Sequence, residues 1–128
     1  MPILLSGDTR SNVGLFVSAI LANPRVSLPG KFVVVTTQTL SAGDVLKTWS
    51  AVTGKAAEYV KVSLEDFDRV WPMWGMEMGL MLKFWDEARD KSWSGEEGII
   101  GAKELGIKES ELVGLKEAFV KLDWATVL

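Results

Sequence analysis

The chain has no cysteine and no histidine. Without cysteine there is no disulfide, no thiolate nucleophile and no sulfur-ligated metal. Without histidine there is no imidazole base, and the commonest metal ligand is missing. Chemistry is left to carboxylates, lysines, arginines, hydroxyls and Tyr59, the single tyrosine. No EF-hand spacing organises the carboxylates, and no metal is assigned.

Basic tracts are also lacking. The net charge is −3, with lysine and arginine scattered, so nucleic acid is not an expected partner. No window reaches the roughly 18 apolar residues of a membrane span. Asp8 and Arg10 interrupt the apolar start before a signal sequence could form. These absences predict a cytoplasmic chain without membrane insertion. Gly95, Gly98 and Gly101 come with neither a Walker lysine nor a G-x-G-x-x-G turn after a strand, so no cofactor is expected.

What is present is the composition of a folded chain: 128 residues, 48% apolar and 24% charged. That length suits one domain over residues 1–128. Val13, Phe16, Val17, Ile20 and Leu21 predict a helix over 11–23, capped by Ser11 or Asn12 and ended by Pro24. Three valines and two threonines within 31–37 predict a strand buried on both faces. Ser41 with Asp44 forms a capping box for a helix through Trp49 and Val52 that Gly54 closes. A shorter strand is predicted over 58–62, followed by a helix capped by Ser63 with Asp66. Pro72 opens the next helix. A polar loop over 93–98, a short helix over 102–105 stopped by Gly106, and a last helix capped by Ser110 complete the order. In that last helix Leu112, Leu115, Phe119 and Leu122 share a face. The expected class is α+β, mostly helical, with a short sheet to which residues 3–5 add a strand or a second subunit adds an edge. A homodimer is expected on that ground.

The segment 70–93 holds Trp71, Trp74, Trp85 and Trp93 of the six tryptophans and every methionine but Met1. On a helical wheel Trp74, Met78, Met81 and Trp85 fall on one side, with Trp71, Leu82, Phe84 and Ala88 beside them. Lys83, Asp86, Glu87 and Asp90 face away. Glu77 stands at the margin of the apolar arc. Desolvation there would raise its pKa and suit it to proton transfer, whereas a helix-start rim position would leave it an ordinary stabilised charge. The aromatic and methionine side chains either fill a core or line a pocket for a flat apolar ligand. Tyr59 and Lys61 share one face of the predicted strand, where they could polarise a carbonyl, or simply lie exposed. Arg10 sits on a loop feeding a helix start, within reach of a ligand.

The stretches GDTRSNVGLFVSAILANP, GKFVVVTTQTLSAGDVLKTWSAVTGKAAEYVKVSLEDF, WPMWGMEMGLMLKF and ELGIKESELVGLKEAFVKLDW resemble, in this order, the C-terminal portion of the NmrA-like family. Its members are atypical short-chain dehydrogenase/reductases. The resemblance implies a Rossmann half bearing the NAD(P) loop, followed by a smaller substrate domain. The present chain is expected to correspond to the smaller domain alone, without the hydride-transfer machinery.

Two functions follow as expectations. The first is a cofactor-independent enzyme of secondary-metabolite biosynthesis, of isomerase, cyclase or lyase type, acting on a hydrophobic small molecule. Glu77, Tyr59 and Lys61 would be catalytic. Trp71, Met73, Trp74, Met78, Met81, Trp85 and Arg10 would bind substrate. The alternative is a noncatalytic NmrA-like binding or regulatory protein, or a fragment of an NAD(P)-dependent reductase.

Overall fold

Asp8, upstream of the expected cap, begins the first helix. In the computed structural model, which describes residues 2–89, 91 and 97–126, helix α1 spans Thr9–Ala22 and the Asp8 carboxylate accepts from Arg10 N–H at 3.1 Å. Asn12, expected at the cap, is instead carried inside the helix and fully buried. Pro24 ends α1 and also opens the short helix α2 (Pro24–Ser27), because its fixed φ and missing N–H suit a first helical position.

The valine-rich segment 31–37 does not form the expected strand. It makes one parallel bridge, Val33 to Ile100, in which Val34 N–H donates to Ile100 at 2.9 Å and Ile100 N–H donates to Phe32 at 3.0 Å. The regular sheet lies just beyond it. Strand β1 (Pro2–Leu5) pairs antiparallel with β2 (Gln38–Ser41), from Pro2 opposite Ser41 to Leu5 opposite Gln38. The N-terminal segment therefore does supply a strand, but its partner is a polar run. The Leu5 carbonyl decides this register, accepting from Thr37 N–H at 2.8 Å and from the Thr36 and Thr37 hydroxyls at 3.2 Å. Val33 and Val35 pack on the core instead.

That core is small. Phe16, Ile100, Leu105 and Ile107 are buried together, with Leu15, Ile20, Val26 and Leu112 packed around them. It joins α1 to the segment after residue 99, where the expected helix over 102–105 is a series of turns ended by Gly106 at φ 75°.

Helix α3 (Ala42–Thr53) has the expected caps. Ser41 Oγ accepts from Asp44 N–H at 3.2 Å, and Gly54 closes the helix at φ 70°. Its main helical partner is α6 (Leu115–Val120), which starts from Gly114; the expected cap Ser110 lies in the preceding 3₁₀ turn, Glu109–Glu111. Phe119 and Trp49 both meet the ring of Trp124 edge-on, with centroids 5.5 and 6.1 Å away. Leu112 and Phe119 are partly buried and Leu115 is buried, whereas Leu122 is exposed.

Helices α4 (Leu64–Val70) and α5 (Gly75–Ala88) form a hairpin whose main packing is against each other. The expected strand over 58–62, which would have led into it, is extended backbone without a ladder. Trp93 and most of the loop expected over 93–98 lie outside the described residues.

Candidate functional site

Ser63 starts the hairpin as expected, its Oγ accepting from Asp66 N–H at 3.0 Å. Trp71 ends α4, and the turn to α5 passes through Met73 at φ 76°, a left-handed conformation that costs a non-glycine residue about 1–2 kcal/mol. The side chain so placed is 89% exposed. Trp74 takes the N-cap position of α5 without a side-chain cap bond. Asp68 supplies what is missing from the neighbouring helix, accepting from Met76 N–H at 2.9 Å.

Contact between the two helices is made by glycines. A Cβ on Gly75 would stand 2.5 Å from Asp68 Cα and 2.7 Å from the Phe67 carbonyl, and one on Gly79 would stand 2.2 Å from Leu64 Cδ1. The absence of side chains at these two positions, one helical turn apart, lets the helices approach closely. A wheel of apolar residues does not reveal this face, although GMEMG carries the small-residue spacing that marks it.

Because glycines take the buried stripe, the large apolar residues are displaced outward. Trp71 and Trp74 are 56% and 58% exposed, and Val70, Met76, Leu80 and Phe84 are exposed with them. Met78, Met81 and Trp85 are partly buried. Phe67 supports Trp71 edge-on at 6.4 Å. The hairpin thus carries a cluster of exposed aromatic and methionine side chains.

Glu77 lies in the first turn of α5 and is exposed, which is the rim alternative. Tyr59 and Lys61 are exposed on the extended segment before α4. Tyr59 borders a shallow apolar cleft of about 440 Å³ between α3 and α6, with Val45, Leu46, Trp49 and Phe119 in its walls. Neither Glu77 nor Lys61 lines that cleft, so the three residues expected to be catalytic do not share it. Arg10 is exposed in the first turn of α1. A second open cleft of about 470 Å³ runs past Gln38, Thr48 and Lys116. Among the described residues no group of three carboxylates converges as a metal site would require.

Two carboxylates at helix starts are shifted. Asp8 is held below the ordinary aspartate value of 3.8 chiefly by the Ser11 hydroxyl, against an opposing effect of burial, with the Ser11 and Arg10 backbone and Lys121 each lowering it less. Asp44 is lowered by its bond from Ser41 and by Lys47. Both belong to capping arrangements.

The fold and surface define a small, mostly helical α+β domain that displays an aromatic helical hairpin. The chain belongs to the NmrA-like family, whose sequence profile matches residues 3–118. Comparison with curated proteins and with solved structures finds no match. Among the described residues no helix is long and apolar enough to cross a membrane.

The family implies NAD(P), and the turn from β1 to α1 is where a strand feeds a helix N-terminus, the usual seat of a pyrophosphate. The residues there do not fit it. A Cβ on Gly7 would stand 2.0 Å from the Val113 carbonyl, so protein backbone already covers the glycine. The α1 amides face the Asp8 carboxylate, an anion where another anion would have to sit.

Proposed function

We propose that this chain is a noncatalytic binding module of the NmrA-like family, which engages an apolar partner surface through the α4–α5 hairpin. One observation carries the reading: Trp71, Met73 and Trp74 stand exposed at the tip of the hairpin. They do so on a support fixed by the Gly75 contact and by the bond from Met76 to Asp68. Tryptophan is, with tyrosine and arginine, enriched among the anchor residues of protein interfaces, and a pre-ordered anchor loses little freedom on binding. A strained, solvent-facing methionine on the same turn is a further reason to place contact there.

The reading is tested by fluorescence titration with 1-anilinonaphthalene-8-sulfonate and, separately, with NADPH. Saturable uptake of the apolar probe is expected for the native chain, lost in the Trp71→Ser/Trp74→Ser double variant. Probe uptake that survives the double variant, or saturable NADPH binding, overturns it.

A further inference from the structure

Residues 56–62 run extended between two fixed helix ends. Gly54 closes α3 and the Lys55 N–H donates to Thr53 Oγ1 at 3.3 Å; at the other end Ser63 caps α4. Between these anchors no backbone N–H or C=O of residues 56–62 is hydrogen-bonded to another described residue. The run contains Tyr59, Val60 and Val62, residue types suited to a strand, and all three are exposed. Ala57 and Tyr59 border the cleft against α3 and Phe119, so alternate side chains rest on the protein. An ordered, β-forming segment with its peptide groups unpaired is the chemistry of a sheet edge, and what completes it is another strand.

We propose that this segment pairs with the same segment of a second copy, as an antiparallel ribbon about a two-fold axis at Val60. Charge decides for a second copy. In that register Tyr59 of each copy lies opposite Lys61 of the other, an aromatic–cation pair made twice. Beyond the ribbon, Lys55 of each copy runs toward the acidic first turn of α4 of the other, where Glu65 and Asp66 share the single cation of Arg69. No two like charges face each other. This surface uses only the first turn of α4 and none of Trp71, Met73 and Trp74, so its fate does not depend on the function proposed above.

A chain without cysteine makes the test direct. Single variants Val60→Cys and Glu58→Cys are oxidised in air and followed on non-reducing gels. Only the self-opposed position brings two Cα atoms within about 5.5 Å, so Val60→Cys is expected to form its disulfide dimer at least about ten-fold faster. Val60→Pro, which removes an N–H from an unpaired segment, is expected to reduce the light-scattering mass to that of a monomer with the circular dichroism unchanged. Equal cross-linking rates, a monomeric native chain, or a dimer that persists in Val60→Pro each overturn the proposal.

Discussion

Asn12 and Val113 exchange two hydrogen bonds across 101 residues of sequence: Asn12 Nδ2 donates to the Val113 carbonyl at 2.8 Å, and Val113 N–H donates to Asn12 Oδ1 at 2.9 Å. The second Nδ2 proton goes to the Ser6 carbonyl at 2.7 Å. One buried amide thus ties the β1–α1 turn to the segment before α6.

Replacing it with alanine leaves the partly buried Val113 N–H and Ser6 carbonyl without their partners and takes from the Val113 carbonyl one of its two donors, the other being Asp8 N–H. Each such group costs about 1–3 kcal/mol, so Asn12→Ala is expected to lose about 3 kcal/mol or more in urea unfolding. A loss below about 0.5 kcal/mol, the ordinary range for a surface change, would contradict the buried role.

Gly75 and Gly79 should respond differently to alanine. At Gly75 the new methyl meets backbone, which cannot turn aside, and a cost of about 2 kcal/mol is expected. At Gly79 it meets the end of the Leu64 side chain. There the rearrangement is offset by about 1 kcal/mol of helix propensity, giving a much smaller net change. Thermal melts of both variants give the order, and a Gly79→Ala loss equal to that of Gly75→Ala would count against close backbone contact at Gly75 alone.

The bond from Met76 to Asp68 replaces a missing cap on α5. Asp68→Ala is expected to cost about 1 kcal/mol, as loss of a capping side chain does. Hydrogen exchange should quicken first at the start of α5, and unchanged exchange there would remove Asp68 from this role.

Asp8 links stability to acidity. Its carboxyl is lowered in the folded chain, chiefly by the Ser11 hydroxyl, so it adds stability that is fully present above the ordinary aspartate value. That contribution is lost as pH falls through the lower folded value. Asp8→Asn should therefore be less stable than the native chain at neutral pH, with the difference closing in acid. A difference that stays constant down to pH values below the folded carboxyl's titration would rule this linkage out.

Glu77 is exposed, and Glu77→Gln is expected to leave stability within about 0.5 kcal/mol of the native chain. A larger loss in urea unfolding would show a structural contact at this position.

Where the fold depends on neighbours in sequence, residue pattern was a sufficient guide. Ser41 with Asp44, Ser63 with Asp66, and Gly54 could be read directly, because a cap needs only a side chain and an amide three residues on. Where it depends on distant partners, pattern misled. The valines at 33–35 look like a central strand, yet among the described residues the partner backbone they meet is at Ile100, while Gln38–Ser41 becomes a strand because Pro2–Leu5 lies beside it. Asn12 resembles a cap until Val113 arrives. In the hairpin the close contact is hard to read for another reason: a wheel that weighs large apolar side chains gives no weight to glycine, and Gly75 and Gly79 are where α5 meets α4.

The Val113 carbonyl, which accepts from Asp8 N–H and Asn12 Nδ2 and lies over Gly7, also bears on when the chain can fold. During synthesis the first strand and helix emerge early, but their connecting turn stays incomplete until residue 113 has left the ribosome. Closing so long a loop carries an entropy cost that rises only with the logarithm of its length, yet it must be met before the contact rewards it. Folding should therefore be one late, cooperative event rather than a progressive one, with nascent chains shorter than this point open to proteolysis.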